Sequence, residues 1–147
     1  MQVRDIMTID PVACAPDDQV ATAAKIMVDR DCGAVPVVDS QETRRVVGIL
    51  TDRDIVVRLV ARRINPVTSS ACDCMTCDVY VVRPGDSIQD VVSLMEEQQI
   101  RRVPVVEDGG VLVGIVATAD LARKVDDEEM LAEVLEEVSE PELAGVA

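Results

Sequence analysis

Two groups of polar side chains have the types and spacing to bind a small polar ligand. Thr51 and Asp54 form a Thr-x-x-Asp where a predicted strand turns into a predicted helix. Backbone amides at a helix N-terminus attract anions, a threonine hydroxyl adds one donor, and a carboxylate accepts hydrogen bonds from hydroxyl groups. The adjacent Arg101 and Arg102 can supply charge-assisted hydrogen bonds to an anion such as phosphate.

Each of these residues also has a purely structural interpretation. Asp54 and Asp120 sit at predicted helix starts, where an aspartate cap stabilises the protein by about 1 kcal/mol. Arg101 and Arg102 fit the solvated edge of a strand. Both interpretations stay open for the single residues, and only the set as a whole favours binding.

A third group consists of cysteines, since Cys72, Cys74 and Cys77 form a C-x-C-x-x-C pattern. Zinc takes four ligands, and the chain has no histidine. Completing a zinc site would therefore need one of Cys14, Cys32, Asp73 or Asp78. We favour small apolar fillers over a metal site or a redox switch, and we predict no required cofactor.

The same residues argue against an enzyme and indicate a compartment. The sequence offers no histidine as a general base, no nucleophile elbow, no glycine-rich phosphate loop and no evident pair of carboxylates. Five cysteines are an odd number, and no secretion signal is visible, so reduced thiols and a cytoplasmic location are expected. No apolar run approaches the length of about 20 residues that spans a membrane.

The elements that position these groups occur twice. Residues 7–39 align on residues 75–107 without a gap, and after a two-residue slip residues 47–50 align on residues 113–116. The period of about 66 to 68 residues is too long for a solenoid unit. A half of that length buries only about 60% of its unfolded surface. We therefore expect the halves to fold together about a pseudo-two-fold axis, with clefts between them.

Each half reads as a β-α-β-β-α unit of an α/β (α+β) fold. Apolar residues at helical spacing after Pro16 and after Asp86 predict two helices, the second with Asp86 and Gln89 as a capping box. Val-rich strands are predicted at 34–38 and 45–50, and Glu107 to Gly110 reads as a hairpin turn. The predicted organisation is repeat 1 at 1–61, a linker at 62–71, repeat 2 at 72–125 and a C-terminal segment at 126–147.

The charge of the chain is concentrated in its C-terminal segment. The net charge is −14, and residues 126–147 carry nine acids and no base, which leaves 19 acids and 14 bases in residues 1–125. This balance argues against nucleic acid and against anionic membranes as partners. Four apolar residues of the segment follow the i, i+3, i+4, i+7 pattern of an amphipathic helix: Leu131, Val134, Leu135 and Val138. This helix is expected to pack on its own chain or on a dimer mate; a detachable regulatory or partner-binding helix is the alternative.

The repeated strings resemble those of the cystathionine-β-synthase (CBS) domain family. VRDIMTIDPVACAPDDQV and CDCMTCDVYVVRPGDSI are similar to its opening segment, GAVPVVD and RRVPVVE to its central strand, and VVGILTDRDI and LVGIVATADL to its closing strand and helix start. The pair resembles a stand-alone tandem module of the Bateman type. The likeness extends to about residue 123.

The resemblance implies a regulatory module that senses AMP, ADP, ATP or a similar adenosyl nucleotide in the cleft between the repeats. Asp54 would accept from both ribose hydroxyls, and Arg101 or Arg102 would bind phosphate. Apolar strand segments would line a slot for the purine: Val12, Val35 and Pro36 from one half, and Tyr80, Val103 and Pro104 from the other.

The two copies are not equal. Ala117 stands where repeat 1 has Thr51, although Thr118 follows at once, and Gly33 and Ala34 stand where repeat 2 has Arg101 and Arg102. We therefore expect one good site, built on Thr51 and Asp54 with an arginine reaching across, and a weak or empty site at Asp120.

Two functions remain to be distinguished. The first is nucleotide sensing read by a dimer mate or by another protein. The alternative is a ligand-free dimeric scaffold whose acidic C-terminal helix contacts a partner. A homodimer is expected in either case, because closed two-fold dimers are the commonest assembly.

Overall fold

The computed structural model describes residues 1–124 and residue 136. The regular elements in chain order are α1 (Val3–Ile6), β1 (Thr8–Ile9), α2 (Val20–Arg30), β2 (Ala34–Val38), β3 (Val46–Thr51), α3 (Asp52–Arg58), α4 (Ile88–Gln98), β4 (Arg102–Glu107), β5 (Val111–Ala117) and α5 (Thr118–Lys124). Short 3-10 turns occupy Val60–Arg62, Pro66–Thr68, Ala71–Asp73 and Asp108–Gly110. The predicted C-terminal helix lies outside the described residues, apart from residue 136.

The two long helices form because apolar residues recur on one face. In α2 the buried residues are Val20, Ala23 and Met27; in α4 they are Ile88, Val91, Val92 and Met95. Both helices end on a residue in the left-handed conformation, Asp31 (φ 49°) and Gln99 (φ 55°), as is common at helix C-termini.

The predicted capping box at the start of α4 is wrong by one residue. Ser87 is the N-cap, and its hydroxyl accepts a hydrogen bond from the backbone N–H of Asp90 at 3.1 Å. Asp86 instead accepts from the backbone N–H of Arg83 at 2.8 Å. The aspartate therefore closes the turn before the helix, and the shorter serine side chain caps it.

The sheets consist of two hairpins. β2 pairs antiparallel with β3, and β4 pairs antiparallel with β5. The predicted strand at 34–38 is confirmed, and the predicted turn at 107–110 joins β4 to β5, with Gly109 and Gly110 at positive φ. Cys14 and its counterpart Val82 each add a single parallel bridge, to Val37 and Val105 respectively.

The segments that lead into the repeats cross over. β1, from the start of the chain, pairs with β5 of repeat 2. Thr76, from the start of repeat 2, exchanges two hydrogen bonds of 2.9 Å with Ile49 of β3 in repeat 1. Each of the two sheets is therefore completed by the other repeat.

The cores are exchanged in the same way. Val3 and Ile6 lie in the core that contains Val91, Met95 and Val116 of repeat 2. Ala71 and Cys74 lie in the core that contains residues of repeat 1 from Cys14 to Leu59. The predicted fold class is confirmed, and the crossing explains why the two halves fold as one unit.

Candidate functional site

A cleft of about 850 Å³ is lined by residues from both repeats. Repeat 1 contributes residues 8–12, the end of α2 with the start of β2, and Asp52. Repeat 2 contributes Arg102, two residues of β5 and one face of α5. The cleft therefore lies between the two repeats.

The crossed lead-in forms one wall of this cleft. Thr8 and Ile9 are held against Ile115 and Gly114 by strand pairing. The following residues are fixed from both sides, because the Asp10 N–H donates to the Val113 carbonyl at 3.1 Å and Arg44 Nη2 donates to the Pro11 carbonyl at 3.0 Å. The wall thus depends on pairing between the repeats.

Asp120 is a buried carboxylate on this cleft. It is 4% exposed, Oδ2 accepts from the Ala117 N–H at 2.7 Å, and Oδ1 accepts from Arg123 Nη2 at 2.8 Å. The Arg123 side chain is 69% exposed, so it can swing towards solvent at little cost. Oδ1 would then be free to accept from a ligand hydroxyl.

Arg102, which belongs to repeat 2 as Asp120 does, enters the cleft through the space that Gly33 of repeat 1 leaves. A Cβ atom built on Gly33 would lie 2.7 Å from Arg102 Nη2 and 2.9 Å from Asp52 Oδ2. Any larger residue at position 33 would therefore displace the guanidinium. The glycine that appeared to be a loss in repeat 1 is what accommodates the arginine of repeat 2.

Thr51 and Asp54 form a reciprocal capping box and do not line this cleft. The Asp54 N–H donates to Thr51 Oγ1 at 3.1 Å, and the Thr51 N–H donates to Asp54 Oδ2 at 3.0 Å. Thr76 Oγ1 donates to Asp54 Oδ1 at 3.4 Å. The capping interpretation thus describes their contacts, and ligand binding at this pair stays a prediction.

The predicted apolar wall is brought together only in part. Val12 and Pro36 line the cleft. Val35 and Val103 differ from the prediction, because each is 0% exposed and lies in one of the two cores. Alternate residues of a strand point to opposite faces, so the residue next to a cleft-lining position points into the core.

The remaining predicted residues lie outside the lining of this cleft. Tyr80 and Arg101 are exposed, Pro104 is buried in β4, and Thr118 is half-buried at the start of α5. The Arg101 carbonyl accepts from the Thr118 N–H at 3.0 Å. The backbone of Arg101, before β4, and that of Thr118, after β5, therefore hold the ends of these two strands together.

Sequence reasoning missed several charged residues of the cleft. Asp10, Asp31, Asp52, Arg30 and Arg123 all line it. With Asp120 and Arg102 they give four carboxylates and three guanidinium groups, so the cleft can accept from hydroxyls and donate to an anion. The left-handed Asp31 before Gly33 marks the end of α2, and the helix-end signal at 31–33 was the clue available in the sequence.

The cysteines are not gathered into a metal site. Cys14 and Cys74 are each 1% exposed, while Cys32, Cys72 and Cys77 are exposed. Burial, followed by the nearby Asp18 carboxylate, raises the pKa of Cys14 to about 11. Burial likewise raises the pKa of Cys74, with Asp54 adding to the effect. In the part of the chain that the structure describes, no three Cys, Asp or Glu side chains are grouped to hold a metal ion.

None of the described helices has the length and apolar content to cross a lipid bilayer.

Known proteins share this architecture. Hypoxic response protein 1 of Mycobacterium tuberculosis is 38% identical over 124 residues, which are 84% of this chain and 85% of that protein. A crystal structure of Hypoxic Response Protein I with two coordinated zinc ions matches with a TM-score of 0.76 and covers 85% of this chain and 99% of that chain.

Two further solved structures contain ligands. The CBS domain pair of protein MJ0100, in complex with 5′-methylthioadenosine and S-adenosyl-L-methionine, is 28% identical with a TM-score of 0.74, covering 84% of this chain and 98% of that chain. CBSX2 in complex with AMP is 27% identical with a TM-score of 0.70, covering 83% of this chain and 93% of that chain.

The CBS domain family model matches residues 3–61 and residues 71–127. These two matches cover both repeats and the exchanged lead-ins. The chain therefore belongs to the CBS domain family and carries two CBS domains in tandem.

Proposed function

We propose that the protein is a regulatory module that binds an adenosyl ligand in the cleft between its two CBS domains. The observation that carries the proposal is a cleft of about 850 Å³ in which the buried carboxylate of Asp120 and the Arg102 guanidinium, both from repeat 2, line the same space as the Gly33 segment of repeat 1. A volume of this size falls in the usual range for small-molecule sites. The adenosyl ligands of MJ0100 and CBSX2 support the choice of ligand class.

The chemistry of the lining suggests a role for each group. Asp120 would accept from the ribose hydroxyls once Arg123 swings out. Arg102, next to Gly33, would donate to a phosphate or another anionic end. Val12, Pro36 and Ile115 would contact the purine. Binding across both walls would stiffen the pair, and a dimer mate or another protein would read that change.

This assignment reverses the expected ranking of the two sites. The sequence favoured Thr51 and Asp54 because the threonine is intact there. The cleft favours Asp120, since Asp120 and Arg102 both line it, whereas Asp54 lies outside its lining and is held by Thr51 and Thr76. A matched pair of substitutions separates the two assignments.

The test is a thermal-shift panel of AMP, ADP, ATP, GTP and S-adenosylmethionine. A ligand at a hundredfold excess over its Kd should stabilise the protein by about 2.7 kcal/mol. Asp120→Asn should remove the shift, and Asp54→Asn should keep it. Asparagine can still accept the capping hydrogen bond at either position, so a lost shift would report lost binding and not a broken helix start.

The other outcomes are equally informative. If Asp54→Asn removes the shift and Asp120→Asn keeps it, the principal site is the one at Thr51 and Asp54. If no ligand shifts the transition at millimolar concentration, the adenosyl proposal is overturned, and the ligand-free dimeric scaffold becomes the better description. The homodimer and the cytoplasmic location stay predictions.

A further inference from the structure

Two opposite charges from different repeats lie on either side of the gap at Gly33. A Cβ atom on Gly33 would lie 2.7 Å from Arg102 Nη2 and 2.9 Å from Asp52 Oδ2, so these two atoms are at most 5.6 Å apart, the sum of the two distances. Both side chains line the cleft, and among the described residues they form no ion pair with each other. A guanidinium and a carboxylate are therefore close together in the cleft without direct contact.

The backbone holds Asp52 in this place, but the turn does not require its charge. The Asp52 N–H donates to the Gly33 carbonyl at 3.0 Å, and its counterpart Thr118 donates in the same way to the Arg101 carbonyl at 3.0 Å. The same turn thus forms in repeat 2 with a neutral side chain. Asp52 Oδ1 accepts from the Arg53 N–H at 2.8 Å, which leaves Oδ2 beside the gap. The negative charge at position 52 is therefore available for a role in the cleft.

The arginine lies next to the carboxylate that we assign to the ribose. Arg102 pairs with Ala117 across β4 and β5, and the Ala117 N–H donates to Asp120 Oδ2 at 2.7 Å. A ligand held at Asp120 would therefore present its far end to Arg102 and Asp52. This placement rests on the proposed function, which takes Asp120 as the residue that holds the ribose.

The charged residues that line the cleft carry a small negative net charge. They are four aspartates and three arginines, which gives a formal charge of −1. A ligand end with several negative charges would meet more carboxylates than guanidinium groups, and like charges placed side by side weaken binding. A ligand end with one charge of each sign would find a partner for both.

We propose that Asp52 sets the specificity of this cleft. Together with Arg102 it selects an adenosyl ligand whose far end carries both an anionic and a cationic group, as an α-amino acid does, and it disfavours di- and triphosphates. The anionic group accepts from the Arg102 guanidinium, and the cationic group donates to Asp52 Oδ2. Two charged groups on one carbon atom can reach both partners across a gap of at most 5.6 Å.

The specificity is tested by isothermal titration calorimetry of the full chain with three compounds that share the adenosyl group and differ at the far end. S-adenosylhomocysteine carries an α-amino acid, 5′-methylthioadenosine ends in a neutral methyl group, and ATP carries a triphosphate. S-adenosylhomocysteine should bind about tenfold more tightly than either of the others, since each exposed charge pair contributes roughly threefold to the affinity.

Asp52→Asn should change two of these affinities in opposite directions. It should weaken the binding of S-adenosylhomocysteine about threefold and strengthen that of ATP about threefold, because it removes one negative charge and keeps the shape of the side chain. The affinity for 5′-methylthioadenosine should change by less than about twofold. Partial loss of folding would lower all three affinities together, so opposite signs report the charge itself.

Two further variants complete the comparison. Asp52→Thr gives repeat 1 the residue that repeat 2 has at this position and should act like Asp52→Asn. Asp17→Asn is the matched control, because Asp17 is exposed before the start of α2, whereas the cleft is lined by the other end of that helix. It changes the net charge by the same amount and should leave all three affinities unchanged.

Two results would overturn the specificity proposal and leave the adenosyl site in place. The first is binding of S-adenosylhomocysteine no tighter than that of ATP or of 5′-methylthioadenosine. The second is an Asp52→Asn variant whose three affinities are unchanged or change in the same direction. Failure of the proposed function gives a different result: none of the three compounds binds at millimolar concentration, and the specificity proposal then fails with it.

Discussion

The two CBS domains of this chain agree closely where they meet each other and differ where they face the cleft. Met7 and Met75 occupy the same place: a Cβ on Gly114 would lie 2.6 Å from Met7 Sδ, and a Cβ on Gly48 would lie 2.8 Å from Met75 Sδ. At the cleft, by contrast, Gly33 faces Arg102 of the other copy. The duplicated positions maintain the crossing of the lead-ins, and the divergent positions shape the cleft.

The lead-ins themselves differ in the apolar volume that they bring to the core of the other repeat. Val3 and Ile6 come from the first lead-in, and Ala71 and Cys74 are their counterparts in the second. The core of repeat 2 therefore depends more on the start of the chain than the core of repeat 1 depends on the linker. Three measurements test how the two repeats compare.

The largest effect is expected at Ile6. Ile6→Ala should lower the free energy of unfolding by about 2–5 kcal/mol, because it leaves a cavity in the core of repeat 2. Cys74→Ala, at the equivalent position, should cost only about 1 kcal/mol. Urea unfolding of both variants measures the difference, and equal losses would show that the two lead-ins contribute alike.

A second difference is the buried thiol of Cys14, whose counterpart is Val82. Since burial raises its pKa from 9.0 to about 11, the folded chain holds a proton that the unfolded chain releases first. The contribution of the protonated Cys14 thiol to the free energy of unfolding is fully present below pH 9. It is lost as the pH rises through 11, which lowers the free energy of unfolding by about 2–3 kcal/mol.

Cys14→Val gives repeat 1 the residue of repeat 2 and should flatten this alkaline loss, leaving the part that Cys74 contributes. The mirror substitution Val82→Cys should steepen it. The measurement is the unfolding free energy of each variant from pH 8 to pH 11. If Cys14→Val leaves the slope of this free energy against pH unchanged, the alkaline loss belongs to other groups.

The smallest effect tests the part that the copies share. Gly114→Ala and Gly48→Ala should each cost about 1–3 kcal/mol, because the added methyl group meets a methionine sulfur and a backbone carbonyl 3.0 Å away, that of Thr8 or of Thr76. The two losses should be similar. A variant that unfolds at the same urea concentration as the unchanged protein would show that its crossing tolerates a wider spacing.

Local patterns predicted the elements of this fold well. The run of apolar residues at 34–38 predicted β2, and the glycine pair at 109–110 predicted the second hairpin, because strand burial and positive φ leave direct marks in sequence. The partner of a short lead-in leaves no such mark. The sequence around Thr8 and Thr76 is the same whether each residue pairs within its own repeat or with the other repeat. Only the packing of both cores selects the pairing with the other repeat.

The site was harder to predict for a related reason. The sequence shows that Arg102 and Gly33 differ from their counterparts, and this difference predicts a lost polar position at Gly33. The benefit of a missing side chain appears only when another residue occupies the space. Val35 and Val103 were expected in the cleft as members of apolar strand segments, although strand alternation points them into the cores.

The exchanged lead-ins also set an order for folding during synthesis. The core of repeat 1 has all its members once Cys74 has left the ribosome, whereas Val3 and Ile6 pack with Leu121. At about 5 to 20 residues per second, the first residues of the chain wait roughly 6 to 23 seconds for the core that receives them. From the synthesis of Cys74 to that of Leu121, the nascent protein holds every buried residue of the repeat 1 core together with an unburied N-terminal segment.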